Sequence, residues 1–278
     1  MNFYKSKFEI IKINKFFSKA ICPKIFSYKK KKLLFFAGEK NDRLTKIYKI
    51  NLNSKILEQP DLCFESDSYF QRILSPDIVN INNKFHMFFE GKLNDKTGIF
   101  YAKSNDIINW NVNYEPLIFD KKKQIDYGSP RCILHPDLKK YYLYYYKKCK
   151  FGKNIYLSIL DRDLNILQTY DKPIIFPEST LEEAAVYSPD IHIADSKWHM
   201  LYAAWGQKPL KGIIMSAVSK NGIEWSNKKI VLEPNIFEDI KHCSEPSLDR
   251  KKNTLDLYYE GCDVFNNWRI IRRTLDKQ

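Results

Sequence analysis

One short unit recurs five times along this chain, and the recurrence constrains the fold more tightly than any other feature. The copies are CPKIFSYKKKKLLFFAG from Cys22, SPDIVNINNKFHMFFEG from Ser75, SPRCILHPDLKKYYLYYYK from Ser129, SPDIHIADSKWHMLYAAWG from Ser188 and EPSLDRKKNTLDLYYEG from Glu245. Each reads as a short strand opened by an x-Pro pair, a polar turn, and a second strand rich in aromatic residues. In the second copy the turn falls at Asn82–Asn83, a pair that tolerates left-handed backbone angles. Its second strand is apolar on both faces, with Phe85, Met87 and Phe89 on one and Phe88 on the other, so it expects cover on both sides. The anchoring prolines, Pro23, Pro76, Pro130, Pro189 and Pro246, are 53, 54, 59 and 57 residues apart. Near-equal repeats made only of strands describe a radial array. The expected fold is all-β: one five-bladed β-propeller over residues 1–278 with four-stranded antiparallel blades.

The strands between these units support four per blade. The second repeat continues TGIFYAKSNDIINWN and the fourth KGIIMSAVSKNGIEWSN, each a strand, an Asn/Asp-bearing turn and a tryptophan, Trp110 or Trp225. The last repeat ends one strand short, at WRIIRRTL, while FYKSKFEIIKIN precedes the first complete unit. That N-terminal segment is expected to complete the last blade and close the ring, as a strand covered on both sides or one bulged near Ile10–Ile11.

Composition narrows the function classes. Hydrophobic residues make up 44% of the chain, ample for a core, and no run of 18 apolar residues predicts a membrane span. The net charge of +13 fits either a lysine-rich surface or an anionic partner. No basic helix or zinc-finger spacing accompanies it, so nucleic acid is not an expected partner. The six cysteines form no CxxC pair, and no His/Cys cluster has metal-ligand spacing; neither a metal nor another cofactor is expected. The N-terminus lacks a continuous apolar stretch of the secretory kind, which points to the cytoplasm.

Strand period two puts the residues flanking each proline on one face, toward the central channel. Those pairs are Cys22 and Lys24, Ser75 and Asp77, Ser129 and Arg131, Ser188 and Asp190, and Glu245 and Ser247. Three carboxylates beside two cations in one funnel serve either a polar ligand or mutual ion pairing.

The SPDI…KFHMFFEG…GIFYAKSNDIINW string resembles the five-bladed propeller glycosidases, the group of arabinanases, xylosidases, invertases, levansucrases and the related mannoside phosphorylases. The resemblance covers essentially the whole chain. It implies a glycoside-processing enzyme, acting by hydrolysis or by transfer to a sugar or phosphate, with its site in the channel. The family pattern places an Asp before the first-blade proline, where this chain has Cys22, and acids in the third and fourth blades, where it has Ser129 and Ser188. The carboxylates available are Glu245, as general acid, and Asp77 and Asp190, one as base or nucleophile and the other holding substrate. Arg131 and Lys24 are expected to contact an anionic group of a saccharide or sugar-phosphate ligand. Ser75, Ser129, Ser188 and His192 complete the polar lining, and Tyr69, Tyr127, Tyr187 and Trp205 are candidate sugar-stacking rings. With Cys22 in the first blade, a saccharide-binding propeller without catalysis is the alternative.

Overall fold

A computed structural model describes the chain except for residues 4–5, 41–43, 55–58, 66–68, 123, 151 and 277–278. Among the described residues there is no α-helix, and strands account for nearly all the regular structure. After β1 (Lys7–Ile10) come β2 (Lys19–Tyr28), β3 (Lys31–Glu39), β4 (Thr45–Asn51) and β5 (Asp61–Glu65), paired in that order. The second run is β6 (Arg72–Ile81), β7 (Lys84–Leu93), β8 (Lys96–Ser104) and β9 (Asn111–Ile118). The third is β10 (Asp126–Leu134), β11 (Tyr141–Cys149), β12 (Gly152–Leu160) and β13 (Ile166–Thr169). The fourth is β14 (Ala185–Ala194), β15 (Lys197–Trp205), β16 (Gly212–Ser219) and β17 (Trp225–Leu232). The last is β18 (His242–Arg250), β19 (Thr254–Cys262) and β20 (Trp268–Asp276), with β1 alongside β20. Pairing within every run is antiparallel. Single parallel bridges, Lys153 to Ala185 and Gly212 to His242, link the last three runs into one sheet path.

The first strands of the runs meet one another: β2 packs on β6, β6 on β10, β10 on β14, β14 on β18, and β18 on β2. The apolar core lies between successive runs, which is why the second strands are apolar on both faces. Phe35, Phe85 and Phe89 fill the space between runs one and two; Tyr144, Met200 and Tyr202 do so between runs three and four. In runs one, two and four a tight hairpin joins the first and second strands, with both central residues at positive φ: 46° and 62° at Lys29 and Lys30, 50° and 61° at Asn82 and Asn83, and 51° and 56° at Asp195 and Ser196.

Residues 7–10 pair antiparallel with 271–274, so the last run gains its fourth strand from the N-terminus. The expected cover on both sides is not there. β1 is an outer edge, and Phe8 on it is 49% exposed. The flanking residues do the anchoring: Phe3 is buried between runs four and five, and Ile11 and Ile13 between runs five and one.

Candidate active site

The inner strands share one local device. In all five, the ladder to the second strand slips across the x-Pro pair. The residue before the proline is left-handed each time, with φ of 54° at Cys22, 51° at Ser75, 45° at Ser129, 53° at Ser188 and 51° at Glu245. Proline has no N–H to leave unpaired, so it suits the slipped position, and its ring disfavours the right-handed helical angles for the residue before it. A left-handed non-glycine residue costs on the order of 1–3 kcal/mol and persists where the surrounding structure fixes it, commonly at functional sites. Here five such residues converge on one axis.

The bulges divide the channel into three levels. At the middle level the five pre-proline side chains form a ring. Ser75 Oγ lies 3.6 Å from Cys22 Sγ and 3.5 Å from Ser129 Oγ; Ser129 Oγ donates to Glu245 Oε1 at 3.4 Å, and Ser188 Oγ donates to Glu245 Oε2. Of the five, Glu245 alone is not buried. The space enclosed with Lys24, Asp77, Arg131 and Asp190 is only about 30 Å³, room for about two waters and not for a sugar ring.

The level nearer the hairpins is an ion-paired floor. Asp77 and Asp190 are 2% and 1% exposed. Arg131 reaches both, with Nη1 2.6 Å from Asp77 Oδ1 and Nη2 against Asp190. Lys24 Nζ lies 2.8 Å from Asp77 and 3.8 Å from Asp190. Backbone N–H groups of Cys132 and Leu248 donate to Asp77 and Asp190 at 2.8 and 2.9 Å, and His192 Nε2 lies 2.5 Å from Asp190 Oδ2. Burial works against the charge on Asp190, but Arg131 and His192 outweigh it and hold its carboxyl below the usual range. Ser247 Oγ is occupied by the Ile25 N–H at 3.0 Å.

At the other end, where the longer connections enter the inner strands, lies a level of carboxylates carried by the second strands. Glu90 on β7 accepts from Tyr146 Oη at 3.1 Å, from the Ser129 N–H at 3.3 Å and from Arg72 Nη2 at 3.1 Å. It reaches Ser129 because residue 128 is glycine: a Cβ there would sit 1.9 Å from Glu90 Oε2. Glu260 on β19 accepts from Ser244 Oγ at 2.7 Å and from the Cys22 N–H at 3.0 Å. Burial, then the Glu260 carboxylate, push Glu245 up to about 8; burial also raises Glu260.

Between about 4.5 and 8 the unfolded chain releases a proton that folded Glu245 keeps, so this contribution to stability is complete below 4.5 and is lost as pH rises toward 8. Each unit of displacement is worth ~1.4 kcal/mol. Glu245→Gln is therefore expected to melt several degrees above the wild-type protein at pH 8.5 and to lose that advantage by pH 4.5. Melting curves at the two pH values, read by circular dichroism, check this; an equal or lower melting temperature at pH 8.5 would count against a Glu245 that the fold keeps neutral.

The structure thus brings Cys22, Lys24, Ser75, Asp77, Ser129, Arg131, Ser188, Asp190 and Glu245 around one space. Lys24 and Arg131 face Asp77 and Asp190 rather than an open cavity. Tyr187 is buried beside Tyr146, and Trp205 stacks on His242 at 4.3 Å. Tyr127 packs on Tyr145, and Tyr69 packs against Phe70 and Tyr114 away from the channel lining. Of the acids on the long connections, Asp67 lies outside the described residues; Glu182 and Asp239 are buried partners of Tyr202 and of Tyr259 and Arg273. Among the described residues no three His, Cys, Asp or Glu are grouped to hold a metal ion. Glu90 and Glu260 were not singled out from the sequence. Their signal is a lone Glu before Gly in an otherwise apolar strand, FFEG and YYEG.

Neither a family model nor a curated protein matches this sequence. Solved structures do match in shape. A structure described as an RGII complex superposes with a TM-score of 0.78 at 11% identity, over 94% of this chain and 88% of that one. An exo-1,5-α-L-arabinanase from a bovine ruminal metagenomic library gives 0.71 at 11%, over 94% and 93%. A thermostable family-43 glycoside hydrolase gives 0.69 at 18%, over 92% and 88%. This is the fold of the propeller glycoside hydrolases. The glycoside hydrolase fold spans nearly the whole chain here, while the identity of 11–18% leaves the residues at its centre to be read on their own chemistry.

Proposed function

We propose that this protein breaks or transfers a glycosidic bond at the connection-side mouth of a closed, five-bladed propeller channel. The closed ring is supported by the cyclic contacts of β2, β6, β10, β14 and β18 and by the pairing of β1 with β20. One observation supports this above all: the partly exposed Glu245 and the buried Glu90 are bracketed about a single residue, Ser129; burial and the Glu260 carboxylate also favour the protonated form of Glu245. A protonated carboxyl and a second carboxylate across a short gap are the two groups glycoside cleavage needs, at separations of about 5–9.5 Å.

In this scheme Glu245 gives its proton to the departing oxygen as the bond from the anomeric carbon breaks. Glu90, held by three donors, takes the proton of the water that attacks that carbon, so the hydroxyl of water ends on the sugar. Asp77 and Asp190 act one level down. With Lys24 and Arg131 they fix the inner strands, and hence the bulges that aim Glu245, without touching the reacting bond. Ser129 and Ser188 orient the Glu245 carboxyl, and His192 supports Asp190. The ligand class is a saccharide, bound above the ring because the space below admits only water. No metal or other cofactor enters the scheme, and neither nucleic acid nor membrane is a partner in it. The free thiols of Cys22, Cys63, Cys132, Cys243 and Cys262 suit a cytoplasmic setting.

The test is release of sugar, or of sugar phosphate when phosphate is supplied, from a panel of alkyl and aryl glycosides and oligosaccharides. Turnover of at least one member is expected. Saccharide binding to the channel with no cleavage across the panel would replace the enzyme by a binding module.

A further inference from the structure

Lys153, at the mouth, has no carboxylate partner among the described residues. Lys153 stands at the start of β12, beside the start of β14, to which it bridges at Ala185. β12 can begin this close because residue 152 is a glycine at φ 104°, where a Cβ would meet the Ala184 carbonyl oxygen at 2.7 Å. Lys153 Nζ lies 4.1 Å from the ring centroid of Tyr146 and 4.5 Å from that of Tyr187. The two rings stand nearly perpendicular, at 84°, and Tyr146 is held by its hydrogen bond to Glu90. The ammonium therefore sits in a two-sided aromatic notch. Among the described residues no carboxylate is within ion-pairing distance of it, whereas Lys24 and Arg131 each have two and Arg72 has one. Yet it is near enough to Glu245 and Glu260 to favour their charged forms.

A half-buried ammonium has given up part of its hydration, and ring faces replace only some of it. A ligand anion would restore the rest through a charge-assisted hydrogen bond, and the rigid notch would hold the ammonium in place for it. We infer that Lys153 recognises an acidic group on the saccharide, a uronate carboxylate or a sugar phosphate, and so takes the anion-binding part that the paired Lys24 and Arg131 do not fill. This rests on the mouth of the channel being the saccharide site.

Chemical-shift titrations of the full chain with galacturonate, galactose 6-phosphate and galactose test the inference without requiring turnover. At least one of the two acids should bind about tenfold more tightly than galactose, and which one it is tells carboxylate from phosphate. Lys153→Met, which keeps the aliphatic stem against the rings, should bring that acid to parity with galactose while galactose binding is unchanged. Lys153→Arg should keep the preference. Equal binding of acids and galactose by the wild-type protein, or a preference that survives Lys153→Met, would overturn the inference and leave the saccharide site standing. So would a Lys153→Met protein that shifts only the titration of Glu245. Absence of binding by all three sugars and by neutral and acidic oligosaccharides would instead remove the saccharide site, and the inference with it.

Discussion

Arg131→Met is expected to lower the free energy of unfolding by about 3–5 kcal/mol, the cost of breaking a buried ion pair from one side. Arg131 holds Asp77 and Asp190 together, both at most 2% exposed. Without the guanidinium, Asp77, whose charged form burial already disfavours, and Asp190 share Lys24 and the His192 contact. Coulomb repulsion between them then adds to the lost pairing. A chain of this size has a net stability on the order of 5–15 kcal/mol, so the loss is a large fraction of it and the melting temperature should fall by roughly 10 °C. Asp77→Asn in the same protein should recover part of the loss, because burial and the Asp190 carboxylate disfavour a charge at this position and asparagine carries none. The recovery separates an ion-pair effect from a packing defect. Urea unfolding of the two single variants and the double variant measures both quantities. A loss below about 1 kcal/mol for Arg131→Met, the range of exposed pairs, would mean that water screens the floor. The pH dependence has a definite sign as well. Asp190 titrates below its ordinary value in the fold, so its contribution is present above about pH 4 and is lost as pH falls through the lowered value.

The run-by-run architecture was legible because two periodicities coincide. A proline returns at near-constant intervals, and within each interval apolar residues alternate or run together as strands demand. Asn82–Asn83 gave its turn away by residue type, and the missing strand after Leu275 pointed to the N-terminus. The edge position of β1 was harder to see, since Phe8 and Ile10 look like core residues and only the packing shows Phe3, Ile11 and Ile13 doing the anchoring.

The centre was legible in its membership but less so in its pairing. Period-two reasoning places Lys24, Asp77, Arg131 and Asp190 on one face, yet residue spacing says nothing of how two cations divide themselves between two carboxylates. The bulges were hidden for a related reason. An x-Pro pair reads as plain extended chain, and none of Cys22, Ser75, Ser129, Ser188 or Glu245 is the glycine that would announce a left-handed residue. Glu90 and Glu260 escaped because they lie in strands whose other residues are core. A buried carboxylate in such a strand must still find donors, and that rule, applied to FFEG and YYEG, finds both.

Glu245 is proposed to supply a proton to a departing glycosidic oxygen. The most direct test compares Glu245→Gln with the wild-type protein on two glycosides of the same sugar, one with an alkyl leaving group and one with a nitrophenyl group. An alkoxide leaves poorly unless it is protonated, whereas nitrophenolate is stable enough to leave alone. A proton-donating Glu245 should show a loss of about 10²–10⁴-fold on the alkyl glycoside, the usual worth of general acid catalysis, a much smaller loss on the nitrophenyl one, and unchanged binding of both. Equal losses on the two substrates, or none on either, would contradict it.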